Sequence, residues 1–240
     1  MNLHTNKISN SAITTIGGFD YLESFISRIK RLDSSLYLFR GQKNQEWNLS
    51  STSHRKLNKN GGATNLHEDV IKDNVDLISD YKLFGHGQDN QNITTTATTS
   101  SDLMILAKLR HLGAASLLLD FTANALVALW FACEEAIDPD ENGKGTANSR
   151  HLKHKAKNKD GAVFLLPVED AGKYFPLSKF DQVESFNLQE SLSKDTAYYW
   201  KAALLSQRII AQNSYFVIGT EIPFDENTGK IIVPASQKQS

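Results

Sequence analysis

Polar side chains interrupt the longest largely apolar stretch of the chain, Leu103 to Ala136, and four of them are candidates for chemistry. They are His111, Asp120, Thr122 and Asn124. Polar groups in such a setting need hydrogen-bond partners or a function. Asp120 could act as a general base with His111 as its partner. The alternative is structural: Thr122 or Asn124 caps a helix and Asp120 holds a turn.

The pattern of the same stretch predicts a helix, a strand and a second helix. Residues 103–113 have apolar residues close to helical spacing and end at a glycine. Ser116–Phe121 is an apolar run of strand length, and the helix that follows Asn124 is apolar almost all round, which predicts burial. Asp120, Thr122 and Asn124 then lie at the strand end and helix start, where ligands often bind.

A second candidate position follows the apolar strand Leu36–Phe39, which leads directly into Arg40, Gly41 and Gln42. The arginine either reaches outward to a surface carboxylate or faces a cleft and binds an anion. The planar fork of its guanidinium suits a phosphate or a ribose-phosphate edge.

Other polar residues could belong to the same site. The hydroxyls of Ser51 and Ser53 could line the cleft of Arg40 or cap a helix that begins near His54. Gln212 stands just before a β-rich run, Tyr215–Ile218, as a ligand-binding amide or as a loop amide bonded to backbone.

Composition excludes several classes of protein. With 240 residues, 40 % hydrophobic and 22 % charged, the chain is ordinary for a soluble globular protein. A net charge of −1 gives no general attraction for nucleic acid or anionic membranes. The single cysteine, Cys133, excludes an intrachain disulfide and a cysteine-rich metal site. No apolar run reaches the roughly 18 residues of a membrane span, and the N-terminus lacks a signal-peptide core, so we expect a cytoplasmic protein without membrane contact.

The chain pattern predicts an α+β fold with a mixed or split β-sheet core flanked by helices. Residues 1–18 are polar, and we expect them to be flexible. Residues 19–224 are expected to form one domain, with 138–160 as a disordered loop insertion poor in apolar residues. A tail follows at 225–240, where 231–233 could add an edge strand.

The insertion carries a basic run at 150–159 that could contact nucleic acid, although such runs are usually solvated loops. His151 and His154 within it have a spacing that could hold a metal. No carboxylate or cysteine ligands stand near them, so we expect no metal site.

Three landmarks in sequence order together resemble the FRG domain family over about residues 36–218. They are Phe39-Arg40-Gly41-Gln42 with Trp47 and Leu49; His111, Gly113 and Leu118–Thr122 leading into Ala128–Ala132; and Arg208 with Gln212 and Phe216. The chain departs from that family's pattern at five positions. These are Arg110 for glutamine, Leu112 for tyrosine, Leu117 for arginine, and Ala115 and Ala125 for prolines.

The layout also resembles that of ADP-ribosyltransferases more faintly. Those enzymes present an arginine or histidine on an early strand, a polar cluster and apolar helix after a middle strand, and a glutamate or glutamine before a late strand. Arg40, the Asp120–Thr122 segment and Gln212 stand in that order. This resemblance implies catalytic roles for Arg40, Asp120 and Gln212, with NAD as the substrate. The implied binding residues are Gly41, Gln42, Ser51, Ser53, His111, Thr122, Asn124 and Arg208.

The leading hypothesis is therefore an NAD-dependent ADP-ribosyltransferase-like enzyme, acting on protein or nucleic acid as an intracellular bacterial toxin or phage-defence effector. An antitoxin or defence-system partner would fit that role. One alternative is a non-catalytic nucleotide or nucleic-acid binding module that uses Arg40 and the 150–159 run. Another is a hydrolase that uses Asp120 and His111.

Overall fold

The computed structural model describes residues 18–32, 37–59, 65–84, 101–134, 159–168, 174–178, 180–194, 196–201, 212–219 and 229–238. Its helices are α1 (Gly18–Lys30), α2 (Thr52–Lys59), α3 (Leu66–Leu83), α4 (Asp102–His111), α5 (Ala125–Cys133), α6 (Phe180–Glu184) and α7 (Leu188–Ser191). Its strands are β1 (Tyr37–Gln42), β2 (Leu118–Thr122), β3 (Gly161–Pro167), β4 (Tyr174–Pro176), β5 (Ala197–Lys201), β6 (Ser214–Ile218) and β7 (Gly229–Val233). Parallel and antiparallel pairs both occur among these strands, so the predicted α+β class with a mixed sheet and flanking helices is confirmed.

The chain divides into two compact units. The first unit comprises residues 1–47, 122–166 and 226–240, and the second comprises residues 48–121 and 167–225. Strand β2 begins in the second unit and ends in the first, at Thr122.

In the first unit, the end of β2 and then β1, β3 and β7 are hydrogen-bonded in that order. The β1–β2 register pairs Phe39 with Thr122, and β3 runs antiparallel to β7. Helices α1 and α5 share one apolar core with β1, β3 and β7. Its members include Tyr21, Phe25, Phe39, Ala128, Val163, Leu165, Ile231 and Val233. Strand β7 lies at the end of the strand order, as predicted for the tail.

Helix α5 packs on β1 at very short range. A Cβ atom at Gly41 would lie 1.8 Å from the carbonyl oxygen of Ala128, and one at Gly161 would lie 2.1 Å from that of Ala132. Only glycine fits at positions 41 of β1 and 161 of β3, and the α5 residues that face them are alanines. This approach fixes β1, and with it the residues on either side of Gly41.

The prediction that α5 is buried all round is wrong for its outer side. Leu126 is 50 % exposed and Trp130 is 62 % exposed. The strands cover only the side that carries Ala125, Ala128 and Ala132, because small residues alone permit so close an approach. Leu126 and Trp130 consequently face away from β1, whereas Leu129 is buried in the same core as the alanines.

In the second unit, β4, β5, β6 and β2 are hydrogen-bonded in that order. Strand β4 is parallel to β5, and β5 is antiparallel to β6. Apolar residues of α3, α4, α6, α7, β2, β5 and β6 form one core. Its fully buried members include Val70, Leu103, Ile105, Leu106, Leu117, Leu118 and Ile218. The helix predicted from Leu103 is thus present as α4.

Asn74 of α3 is a buried amide that joins three segments of the second unit. It is completely buried, and its Nδ2 donates to the carbonyl of Val70 at 2.8 Å and to Ser53 Oγ at 3.0 Å. Its Oδ1 accepts from the backbone N–H of Leu117 at 2.9 Å, and Ser53 Oγ donates to Asp73 Oδ2 at 2.9 Å. This network fixes α2 and the start of β2 against α3.

Asn74→Ala is expected to lower the free energy of unfolding by about 2–4 kcal/mol, because it leaves the Leu117 N–H buried without a partner and opens a small cavity. Urea unfolding followed by circular dichroism measures this loss. The control is Asn187→Ala, which removes the exposed cap of α7 and is expected to cost about 1 kcal/mol or less. Equal losses for the two variants would contradict the assigned role of Asn74.

Candidate functional site

Arg40 and Gln42 lie on the same face of β1. Tyr37, Phe39 and Gly41 face the α1–α5 side, as the core contacts of the two aromatics and the approach of Gly41 to α5 show. Side chains alternate along a strand, so Arg40 and Gln42 leave the opposite face. Arg40 is half-buried and Gln42 is buried.

The amide of Gln42 is only 5 % exposed, and its Oε1 accepts no hydrogen bond within the described part of the chain. Leaving such an acceptor unsatisfied costs about 1–3 kcal/mol. An orphaned buried oxygen in a folded protein calls for an explanation, and a ligand that donates to it is one. Among the residues predicted to bind a ligand, Gln42 is therefore the one whose geometry most clearly indicates a ligand.

The loop that follows Gln42 is fixed by Asp160. Asp160 Oδ2 accepts from Gln45 Nε2 at 3.2 Å, and the backbone N–H of Gln45 donates to the Asp160 carbonyl at 2.8 Å. Asp160 Oδ1 also accepts from the backbone N–H of Ala235 at 2.8 Å. Lys230 Nζ donates to the Gln45 carbonyl at 2.6 Å, and burial lowers the pKa of this ammonium. These bonds hold the exit of β1 in one position.

Thr122 and Asn124 form the structural cap that the sequence left open as an alternative. Thr122 Oγ1 accepts from the Asn124 N–H at 2.9 Å, and Asn124 Oδ1 accepts from the Leu126 N–H at 3.0 Å at the start of α5. Because Thr122 pairs with Phe39, it leaves the face opposite to Arg40. The structure therefore does not bring Arg40 and Thr122 together on one face of the sheet.

In the second unit, Asp120 forms an ion pair with Arg110. Arg110 Nη2 and Nε donate to Asp120 Oδ2 at 2.9 and 3.2 Å, and Nη1 donates to Thr52 Oγ1 at 2.9 Å. The Asp120 side chain is 48 % exposed, so the pair mainly orients the carboxylate and adds little stability. The predicted partner, His111, is the exposed last residue of α4. In the sequence, Arg110 stands out only as a departure from the family pattern, although its charge, opposite to that of Asp120, could have indicated the pair.

Ser51 and Ser53, predicted to bind a ligand, are completely buried. Ser51 Oγ accepts from the His54 N–H at 3.1 Å and caps α2, as the alternative interpretation held. Ser53 belongs to the Asn74 network. Both hydroxyls already have partners inside the second unit.

The late landmarks are only partly described. Arg208 lies outside the described residues. Gln212 is half-buried in a turn and stands two residues before β6, the strand that the sequence predicted at Tyr215–Ile218.

Of the basic run at 150–159, only Lys159 lies within the described residues, and its Nζ is 3.2 Å from Glu46 Oε2. Nucleic-acid contact through this run stays a prediction.

Two kinds of site are missing from the described part of the chain. None of its helices combines the length and apolarity needed to cross a membrane. Within the same residues, no group of three or more histidine, cysteine, aspartate and glutamate side chains is placed to hold a metal ion.

Comparison with protein families gives a match to the FRG domain over residues 35–141. The match covers the first two landmarks, whereas Gln212 and the late strand lie beyond it. No curated protein and no solved structure matches the chain. The chain therefore carries an FRG domain over residues 35–141.

Proposed function

We propose that this FRG-domain protein is an NAD-dependent ADP-ribosyltransferase-like enzyme whose dinucleotide binds along the Arg40–Gln42 face of β1. The observation that carries the proposal is the pairing of a half-buried guanidinium with a buried, unsatisfied amide oxygen two residues away on one strand face. NAD offers a complement to each group. Its pyrophosphate accepts from a guanidinium, and the carboxamide N–H₂ of its nicotinamide can donate to an amide oxygen.

The surroundings of β1 suit this task. Gly41 lies between the two residues and is held against α5, and the Asp160 bonds fix the loop that follows. A binding surface that is held rigid in this way loses little conformational entropy when a ligand binds. Arg40 would anchor the pyrophosphate and Gln42 would orient the nicotinamide ring.

In the proposed reaction, the bond between ribose C1′ and the nicotinamide nitrogen breaks, and its electron pair leaves with neutral nicotinamide. A nucleophile on protein or nucleic acid then forms a bond to C1′ and loses a proton. Polar groups that favour the developing oxocarbenium charge would accelerate this step. The catalytic roles predicted for Gln212 and Asp120 are based on their order along the chain alone. A glutamine can offer only a neutral carbonyl oxygen.

A role as a toxin or phage-defence effector, with an antitoxin or defence-system partner, depends on this activity and is part of the same proposal. Growth arrest on expression, which an inactive variant does not cause, would be its cellular signature.

Incubation of the protein with NAD labelled in its adenylate part, together with cell extract, is expected to label protein or nucleic acid and to release nicotinamide. Gln42→Leu should lower this rate about tenfold, because one hydrogen bond to the substrate is lost. The same change should leave stability unchanged or higher, because it removes an unsatisfied buried acceptor.

The control is Gln189→Leu, an equivalent substitution at an exposed position of α7. Absence of both label and nicotinamide release from a folded wild-type protein would reject the enzyme proposal. NAD binding without turnover would instead favour the non-catalytic nucleotide-binding alternative.

A further inference from the structure

Two guanidinium groups of the second unit converge on one hydroxyl at the start of α2. Arg110 Nη1 and Arg55 Nη2 donate to Thr52 Oγ1 at 2.9 and 3.4 Å. Arg55 Nη1 also donates to the Ser50 carbonyl at 2.6 Å. All four residues belong to the second unit, whereas the β1 residues of the proposed NAD site belong to the first.

The hydroxyl group of Thr52 has one unused hydrogen-bond donor. A threonine oxygen can accept two hydrogen bonds and donate one. The two arginines occupy its accepting positions, and the Thr52 hydroxyl donates to no acceptor in the described part of the chain. Its O–H is therefore available to an acceptor from outside.

The charges at this cluster are unbalanced. Asp120 forms an ion pair with Arg110, whereas Arg55 forms none with the residues that the structure describes. Burial, together with the positive charge of Arg110, lowers the pKa of Arg55. Holding two cations together in a half-buried place is unfavourable unless an anion joins them.

The unused donors belong to side chains. In the first turn of α2, the Ser53 N–H donates to the Ser116 carbonyl, the His54 N–H to Ser51 Oγ, and the Arg55 N–H to the Ser51 carbonyl. Both guanidiniums keep unused N–H groups, since each has five donors and Arg110 uses three of them. A ligand here would be bound by the guanidinium forks and the Thr52 hydroxyl.

We propose that Arg55, Arg110 and Thr52 form a binding site for a phosphate group. A tetrahedral oxyanion presents several acceptors at once to forked donors and a hydroxyl, and it supplies the missing negative charge. Asp120 occupies one side of Arg110 and repels an anion there, so the phosphate binds on the Arg55 side. The site shares the Arg110–Asp120 ion pair with the residues of the NAD proposal, but Arg55 and Thr52 are not part of that proposal, and the phosphate has its own test.

The test is calorimetric titration of the full chain with inorganic phosphate and, separately, with adenosine 5′-monophosphate, in a buffer without other multivalent anions. Saturable binding of at least one is expected. Arg55→Gln should weaken it tenfold or more, and Thr52→Val, which is nearly isosteric, should weaken it severalfold. Arg55→Lys should lie between Arg55→Gln and the wild type, because it keeps the charge but loses the fork.

The matched control is Lys72→Gln, which removes one exposed positive charge from the same unit and should leave binding unchanged. Tighter binding of the nucleotide than of inorganic phosphate would identify an organic phosphate as the ligand, and equal binding would identify the free anion. The proposal is overturned if neither probe binds, if Thr52→Val binds as well as the wild type, or if Lys72→Gln causes an equal loss. Thr52→Val decides the matter should Arg55→Gln fail to fold.

Discussion

Arg40→Gln is expected to lower kcat/KM for NAD about 100-fold while the protein stays folded. The substitution removes the only positive charge on the Arg40–Gln42 pair and both donors of a forked contact to pyrophosphate. Hydrogen bonds to charged groups contribute about 1.5–3 kcal/mol, and the upper end of that range corresponds to about 100-fold in rate. Arg40→Lys should retain part of the activity, because it keeps the charge without the planar fork.

Initial rates of nicotinamide release, measured over a range of NAD concentrations, separate binding from turnover. Lys30→Gln is the control, because it removes an exposed positive charge from α1 of the same unit. Thermal unfolding of each variant shows whether the fold survives. Arg40→Gln with the rate of the wild-type enzyme would exclude Arg40 from the site, and a loss matched by Lys30→Gln would show a general effect of charge.

Much of the secondary structure could be predicted from the sequence because burial leaves a local periodic pattern. The strand predicted at Leu36–Phe39 is present as β1, and the one predicted at Tyr215–Ile218 is present as β6. The helix, strand and helix between residues 103 and 133 are present as α4, β2 and α5. Each of these predictions needs only the side-chain period and a terminating residue.

The face of the sheet on which a side chain lies could not be predicted as reliably as the secondary structure. Arg40 and Thr122 both stand near strand ends in the sequence, but the Phe39–Thr122 register sends them to opposite faces. A shift of one residue in that register would place them on the same face. Register depends on how β1 and β2 are held by the rest of the fold, and that information is not local.

Partners distant in the sequence were missed for a related reason. Arg110 binds both Asp120 and Thr52, and the latter lies 58 positions earlier. The hydroxyl-bearing residues around Ser51 and Ser53 could equally line an open cleft or cap a buried helix. They are buried because α2 packs on α3, and the sequence does not show that packing. The exposed side of α5 is a further case, because composition does not show how much of a helix its neighbours cover.

Gly41→Ala is expected to destabilise the first unit by about 3 kcal/mol or more. The added Cβ would lie 1.8 Å from the Ala128 carbonyl oxygen and 2.8 Å from both the Ala128 carbonyl carbon and the Ala132 nitrogen. These are backbone atoms of α5, so no side-chain rotation can relieve the clash, and the helix must move off β1. Overpacking in a core costs about 1–3 kcal/mol, and a backbone clash belongs at or above the top of that range.

Urea unfolding measures this loss, and Gly113→Ala is its control. At Gly113 no atom lies within 4 Å of an added Cβ, but φ is +93°, so the cost there is backbone strain of about 1 kcal/mol. Truncating Ala128 to glycine should not rescue Gly41→Ala, because the clash is with the helix backbone. A Gly41→Ala protein no less stable than Gly113→Ala would mean that β1 and α5 do not approach this closely. The fixed placement of Arg40 and Gln42, on which the NAD proposal depends, would then lose its physical basis.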